Sequence, residues 1–272
     1  MSGIYKVLRY GMIVLLALFV LAYPFAVLGM AFHVSAIASF SWAGSAMLFL
    51  EGTLLIVAAM LLYGWRRALL AALVVILGSY AVETLGVNSG WPFGSYHYLT
   101  TLQPLLPGGV PLPVMFAWVM VVFGCYGCCR PGKYAGRSAP WLRFLFAALP
   151  AVLLDLAIEP VAVYIAHYWQ WLSPGPLAYY GVPAANFIAW LIVAWILLLA
   201  VASLFGYRDI QKIEGSIQQP SWSLRLAAAV PRLVFGSSLL MFGLIDLARG
   251  YIYAGPCILL AGILLYLLWR YA

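Results

Sequence analysis

Long apolar runs alternate with short polar segments along the whole chain, at about 10–32, 42–63, 68–88, 110–129, 141–166, 182–206, 226–247 and 251–269. Roughly 20 apolar residues are what an α-helix needs to cross a ~30 Å hydrocarbon core. The runs are too long for barrel strands and lack their alternation, so the backbone must be satisfied within helices. The pattern predicts an all-α polytopic membrane bundle of about eight helices. Seven is the alternative, because only Ala248, Arg249 and Gly250 divide the last two runs. No internal repeat or soluble module interrupts them, so residues 1–272 read as a single integral membrane domain.

Composition agrees: 66% of residues are hydrophobic, 8% are charged and the mean hydropathy is +1.04. Charge then sets orientation. With both termini cytoplasmic, the inner segments hold Lys6, Arg9, Arg66, Arg67, Arg130, Lys133, Arg137, Arg143, Arg208, Lys212, Arg225, Arg232 and Arg270, and only Arg249 lies outside. The net charge of +7 is thus explained by orientation and attraction to a lipid surface, with no call for nucleic acid. Lys6 and Arg9 before an apolar stretch imitate a signal peptide, but no small-residue cleavage site follows, so the stretch reads as a retained span. Cys125, Cys128, Cys129 and Cys257 lack a second ligand cluster and read as reduced thiols rather than metal ligands. The inner loop at about 207–225 (Arg208, Asp209, Lys212, Glu214, Gln218, Gln219) reads as a polar connector.

Five of the seven acids, Glu51, Glu83, Asp155, Glu159 and Asp246, fall inside or at the edge of the apolar runs. Such a charge costs at least ~2.5 kcal/mol in hydrocarbon and by default marks a site. Asp155 and Glu159 stand at i and i+4, on one face of one helix. Pro160 follows, leaves the Leu156 carbonyl without its helical donor and predicts a kink beside the carboxylates. Two outer loops flank these positions. Residues 83–98 hold three glycines, a proline and four aromatics, which cannot continue a helix. The second loop carries His167-Tyr-Trp-Gln-Trp171 and Tyr179-Tyr-Gly-Val-Pro183, leading to Asn186.

Glu83, Asp155, Glu159, Asn186 and Asp246 share an outer depth and, with Asn88, Tyr96 and His97, predict one polar pocket roofed by aromatics. Glu51 sits deeper, in the same network or a separate one. The simpler reading pairs Asp246 with Arg249, caps the other acids with hydroxyls or amides, and makes the tryptophans and tyrosines an interfacial belt. Two carboxyls held close cannot both ionise freely, so one can act as an acid while its partner stays anionic. Aromatic faces stabilise cations. The set suits acid chemistry on an alkene, or proton-coupled transport. A retinal pigment is excluded, because Lys6, Lys133 and Lys212 all lie outside the runs. A transporter would favour polar groups on both sides of the midplane.

The blocks Glu83-Thr-Leu-Gly-Val87, Gly90-Trp-Pro-Phe-Gly-Ser-Tyr-His-Tyr98, Asp155-x-x-x-Glu159-Pro160, Trp169-Gln-Trp171 and Tyr180-Gly-Val-Pro-x-x-Asn186-Phe-x-x-Trp190 resemble the CruF-type carotenoid 1,2-hydratase family over roughly residues 80–190. The resemblance implies a cofactor-independent hydro-lyase of the prokaryotic plasma membrane, without metal. It would add water to the terminal 1,2 double bond of an acyclic ψ-end of lycopene, γ-carotene or a bisanhydrobacterioruberin-type carotenoid. Asp155 and Glu159 would then be the acid/base pair with Glu83 as the third carboxylate, the assignment of acid and base left open. Asn186, His97, Tyr96 and Asn88 would hold water, and Trp91, Phe93 and Trp190 would wall a cation. Glu51 and Asp246 are secondary candidates. Expected partners are the carotenoid, entering from lipid, water, the bilayer and other carotenoid biosynthesis enzymes. A carotenoid end-group cyclase, which begins from a similar protonation and excludes water, is the alternative enzyme.

Overall fold

In a computed structural model, described over residues 3–32, 42–128, 140–175, 177–205 and 221–271, each apolar run is a helix. The described residues hold eight: α1 (Gly3–Ala31), α2 (Ala43–Tyr63), α3 (Trp65–Ser89), α4 (Leu112–Cys128), α5 (Pro140–Pro160), α6 (Ala184–Phe205), α7 (Trp222–Ala248) and α8 (Ala254–Tyr271). Six are long and apolar enough to cross a membrane, while α4 and the Ala254–Leu267 part of α8 are shorter apolar helices. The chain is an all-α membrane helical bundle.

Several boundaries differ from expectation: α3 starts three residues early, at Trp65, and α5 gives way after Pro160 to a π-helical turn. Helix α1 starts at Gly3, so Lys6 and Arg9 ride on its first turns, and α7 starts at Trp222, which takes Arg225 out of the expected connector. The connector's Arg208, Asp209, Lys212, Glu214, Gln218 and Gln219 lie outside the described residues, as do Cys129, Arg130, Lys133 and Arg137. The last two runs are separate helices, because the chain turns at Gly250 with φ +84°. At the opposite end Gly64, at φ +88°, alone reverses the chain between α2 and α3.

Helix α4 is the centre of the bundle. It is apolar on every side, which marks a buried helix, and it packs against α2, α3, α5, α6 and α7. Helix α1 lies outside on α2 and α7, and α8 lies on α5 and α7.

Pro160 marks a change of helical register. Beyond it Val161–Ile165 forms a π-helical turn, in which the Ala166 amide donates to the Val161 carbonyl at 2.8 Å. A missing proline N–H breaks the i to i−4 ladder, and the wider turn re-satisfies the carbonyls that follow. The chain then forms β2 (Trp169–Trp171), which pairs antiparallel with β1 (Tyr96–Tyr98) from the loop after α3, Tyr96 opposite Trp171 and Tyr98 opposite Trp169. A second hairpin, β3 (Ala178–Tyr179) with β4 (Val182–Pro183), turns at Tyr180 (φ +48°) and Gly181 (φ +77°). Two positive φ values are what a type I′ turn requires. These loops cap the end of the bundle that the charge pattern places outside.

Candidate active site

Three buried acids and one amide meet beneath this cap. Glu83, on α3, accepts hydrogen bonds at Oε2 from the Tyr96 hydroxyl (2.5 Å) and the Tyr98 hydroxyl (2.8 Å), and at Oε1 from Trp118 Nε1 (2.8 Å). Glu159, at the end of α5, accepts at Oε2 from Trp169 Nε1 (3.0 Å) and Trp171 Nε1 (2.9 Å). Asn186, at the head of α6, donates from Nδ2 to Glu159 Oε1 (3.1 Å) and Asp155 Oδ2 (2.7 Å). Asp155 Oδ1 is buried and has no hydrogen-bond partner among the described residues.

The strand register explains who reaches the acids. Side chains alternate across a strand, so Tyr96 and Tyr98 of β1 and Trp169 and Trp171 of β2 share the inward face. His97 and its partner Gln170 point away. Burial, and next the neighbouring Glu83, push the phenols of Tyr96 and Tyr98 well above their usual range. Both therefore stay protonated and act as donors, and an indole N–H can only donate.

The donors surround a cavity of about 80 Å³, room for water or the branched tip of a chain molecule rather than for a whole polyene. Glu83, Glu159 and Asn186 are its polar wall with the tyrosines and indoles, while Leu48 of α2 and Phe242 of α7 supply apolar surface. Trp118 and Trp190 lie stacked at 4.4 Å between ring centroids along the wall.

The fold therefore brings together Glu83, Glu159, Asn186, Tyr96 and Trp190 as expected from sequence, but it separates others. Asp155 does not line the cavity; it lies one layer behind, joined through Asn186. Asn88 turns back along α3 and donates to the Thr84 carbonyl at 2.7 Å. Trp91 is 67% exposed, and Phe93 packs edge-on against Tyr96 at 6.1 Å from outside the cavity wall. Glu51 accepts from Ser238 at 3.0 Å, one helical turn below Leu48 and Phe242, and Asp246 is likewise outside the lining. The pairing of Asp246 with Arg249 that the simpler reading offered is not made: neither Asp246 carboxylate oxygen has a hydrogen-bond partner among the described residues, and Arg249 Nη1 donates to the Met30 carbonyl at 3.2 Å.

Sequence reasoning missed Trp118, Tyr98, Trp169, Trp171 and Tyr168 as lining residues. Period-two alternation from Tyr96 could have selected Tyr98 and rejected His97. Nothing on the uniformly apolar α4 singles out Trp118. Trp169 and Trp171 belong to the site and not to an interfacial belt. Replacing both with phenylalanine removes the two donors on Glu159 Oε2. A hydrogen bond to a charged group is worth ~1.5–3 kcal/mol, so the doubly substituted protein is expected to reach the membrane but to melt clearly earlier than wild type, as read by membrane level and detergent melting of the same sample.

A polytopic membrane protein with a carboxylate-bearing aromatic pocket inside its bundle is the class that this fold and site define. The chain belongs to the carotenoid biosynthesis protein family, whose sequence profile matches residues 43–265, in agreement with the resemblance carried by the blocks between Glu83 and Trp190. It is 36% identical to the bisanhydrobacterioruberin hydratase of Haloarcula japonica over 129 residues, which make up 47% of this chain and 42% of that relative. The match thus spans less than half of the relative's length. No solved structure matches the chain.

Proposed function

We propose that the protein is a cofactor-independent carotenoid hydratase, a hydro-lyase that adds water across the terminal 1,2 double bond of an acyclic ψ-end group. The observation that supports this most is the pair of carboxylates on different walls of one aromatic cavity, Glu83 from α3 and Glu159 from α5, the first held by two phenol hydroxyls and an indole N–H and the second by two indole N–H groups.

The end group enters the cavity from lipid, its branched tip against the Trp118 and Trp190 faces. One carboxylic acid gives its proton to carbon 2, and the π electrons of the double bond form the new C–H bond, leaving a tertiary cation at carbon 1. Indole faces stabilise that charge. A water attacks carbon 1 and loses a proton to the second carboxylate, giving the tertiary alcohol and no net change in protons. Asp155 is the positioning group: through Asn186 it fixes the orientation of Glu159. Glu83 and Glu159 then act on the reacting atoms in this proposal, a redistribution of roles within the same three acids. The name of the Haloarcula japonica relative makes bisanhydrobacterioruberin the first substrate to test, with lycopene and γ-carotene beside it.

The test is expression in cells accumulating each of these carotenoids, with pigments analysed by mass. A product heavier by one water supports the reading. An isomer of unchanged mass indicates a cyclase instead, and no new pigment in any such host sinks the proposal.

A further inference from the structure

Asp246 takes no part in the chemistry above, yet it is fully buried at 0% exposure with both carboxylate oxygens unpartnered among the described residues. The Tyr179 hydroxyl, from β3, is buried and unpartnered as well. The two are held to one region. The Asp246 backbone carbonyl accepts from the Tyr251 amide at 2.8 Å, fastening the α7–α8 turn. Tyr251 packs edge-on against Tyr180 at 5.3 Å, and the Tyr180 hydroxyl accepts from the Tyr253 amide at 3.3 Å. The hairpin bearing Tyr179 is thereby pinned over the turn bearing Asp246. Burial, then the Cys257 thiol and Asp246, push the Tyr179 phenol above its usual range, so it remains a donor.

Apolar groups close the region. Phe187 of α6 meets the Tyr179 ring at 5.8 Å. One turn below Asp246, Ile258 of α8 lies so near the α7 backbone that a Cβ on Gly243 would overlap its side chain. Each unpaired polar group in such a place costs ~1–3 kcal/mol, and a buried water making ~2–4 hydrogen bonds removes that cost. Two acceptors and one hydroxyl suit a water, whereas a calcium-type cation takes ~6–8 oxygens.

We propose that Asp246 and Tyr179 form a buried water-holding site, separate from the reaction cavity, that stages water for it. The staging role rests on the hydration reading above. Phe242, one turn before Asp246 on the same side of α7, lines the cavity, so its phenyl ring is the partition between the staged water and the end group. A partition has a chemical purpose: water held behind it reaches carbon 1 only after the cation exists.

The experiment is radiolytic hydroxyl labelling of the purified full-length protein with mass readout at Tyr179 and Cys257, run beside the pigment assay. Bound water makes nearby side chains label quickly. Asp246→Leu is expected to slow labelling of Cys257 and Tyr179 at least ~5-fold and to lower the hydrated product to a similar degree, since water loses two of its ~2–4 hydrogen bonds. Asp246→Asn keeps a polar pair at the same place and is expected to recover most of both losses. Tyr179→Phe should lower the product and slow Cys257 labelling without disturbing the bundle. Labelling unchanged by Asp246→Leu or by Tyr179→Phe overturns the site. An Asp246→Asn protein that labels like wild type but is as inactive as Asp246→Leu overturns the staging role, because the carboxyl would then be moving protons. If the wild-type protein makes no water adduct from any acyclic carotenoid, the hydration reading and the staging role fall together, while the labelling arm still decides whether Asp246 and Tyr179 hold water.

Discussion

Replacing Glu159 with glutamine is expected to cut the yield of hydrated carotenoid by at least ~10²-fold, the usual contribution of a positioned acid or base. The protein should still reach the membrane, with melting lowered by no more than the loss of one hydrogen bond. Gln keeps the size of the side chain, and its carbonyl oxygen can still accept from Trp169 and Trp171, which hold Glu159 Oε2 at 3.0 and 2.9 Å. What it loses is the capacity to carry or take a proton, together with the acceptor at Oε1 that Asn186 Nδ2 reaches at 3.1 Å. Glu83→Gln should behave alike, since Glu83 also lines the cavity.

Asp155→Asn is expected to be milder, near ~10-fold, because a positioning residue acts through hydrogen-bond strength of about that size. Its new carbonyl still accepts from Asn186 Nδ2, which reaches Asp155 at 2.7 Å. Single-turnover pigment conversion with protein quantified in the membrane separates the three. Equal activity of Glu159→Gln and wild type would remove Glu159 from the chemistry, and an Asp155→Asn defect as deep as that of Glu159→Gln would put Asp155 at the reacting atoms.

The second large effect is on the fold. Gly52→Leu is expected to abolish the folded state, and even Gly52→Ala to destabilise it by ~1–3 kcal/mol, the cost of overfilling a packed contact. A Cβ at Gly52 would stand 2.7 Å from the Phe116 backbone carbonyl oxygen and 2.9 Å from Phe116 Cβ. A backbone carbonyl inside α4 cannot swing aside as a flexible side chain could, so α2 would have to move away from α4. In an isolated helix the same Gly→Ala change would be favourable by ~1 kcal/mol, so the expected sign is opposite to propensity. Melting of the detergent-solubilised protein, followed by size-exclusion monodispersity, reads the outcome. A Gly52→Ala protein more stable than wild type would show that α2 and α4 do not approach this closely. Activity should fall with stability, because the same helix pair carries Leu48 and Trp118 to the cavity.

The hydrophobic pattern by itself determined the class and the limits of the helices among the described residues to within a few residues at most ends, leaving open only whether the last two runs were one helix or two. In lipid the backbone has to be satisfied locally, so helix formation is written into short stretches of sequence. The same reasoning selected Glu83, Asp155 and Glu159, since a carboxyl in an apolar run is conspicuous without any knowledge of its neighbours, and Pro160 announced the break that became a π-helical turn.

Tertiary structure alone decided which of these groups meet. Asp155 and Glu159 share a helix face, yet only Glu159 reaches the cavity, because Asn186, 31 residues beyond Asp155, stands between them and bridges both. Trp118, 35 residues from Glu83, and the pairing of β1 with β2 are contacts between distant segments, on which local periodicity carries no information. His97 was set aside for Tyr98 by strand register, and Arg249 reaches the Met30 carbonyl of α1 rather than Asp246. The acids themselves were legible from local chemistry, while their roles follow from side chains that only the packed bundle brings within hydrogen-bond reach.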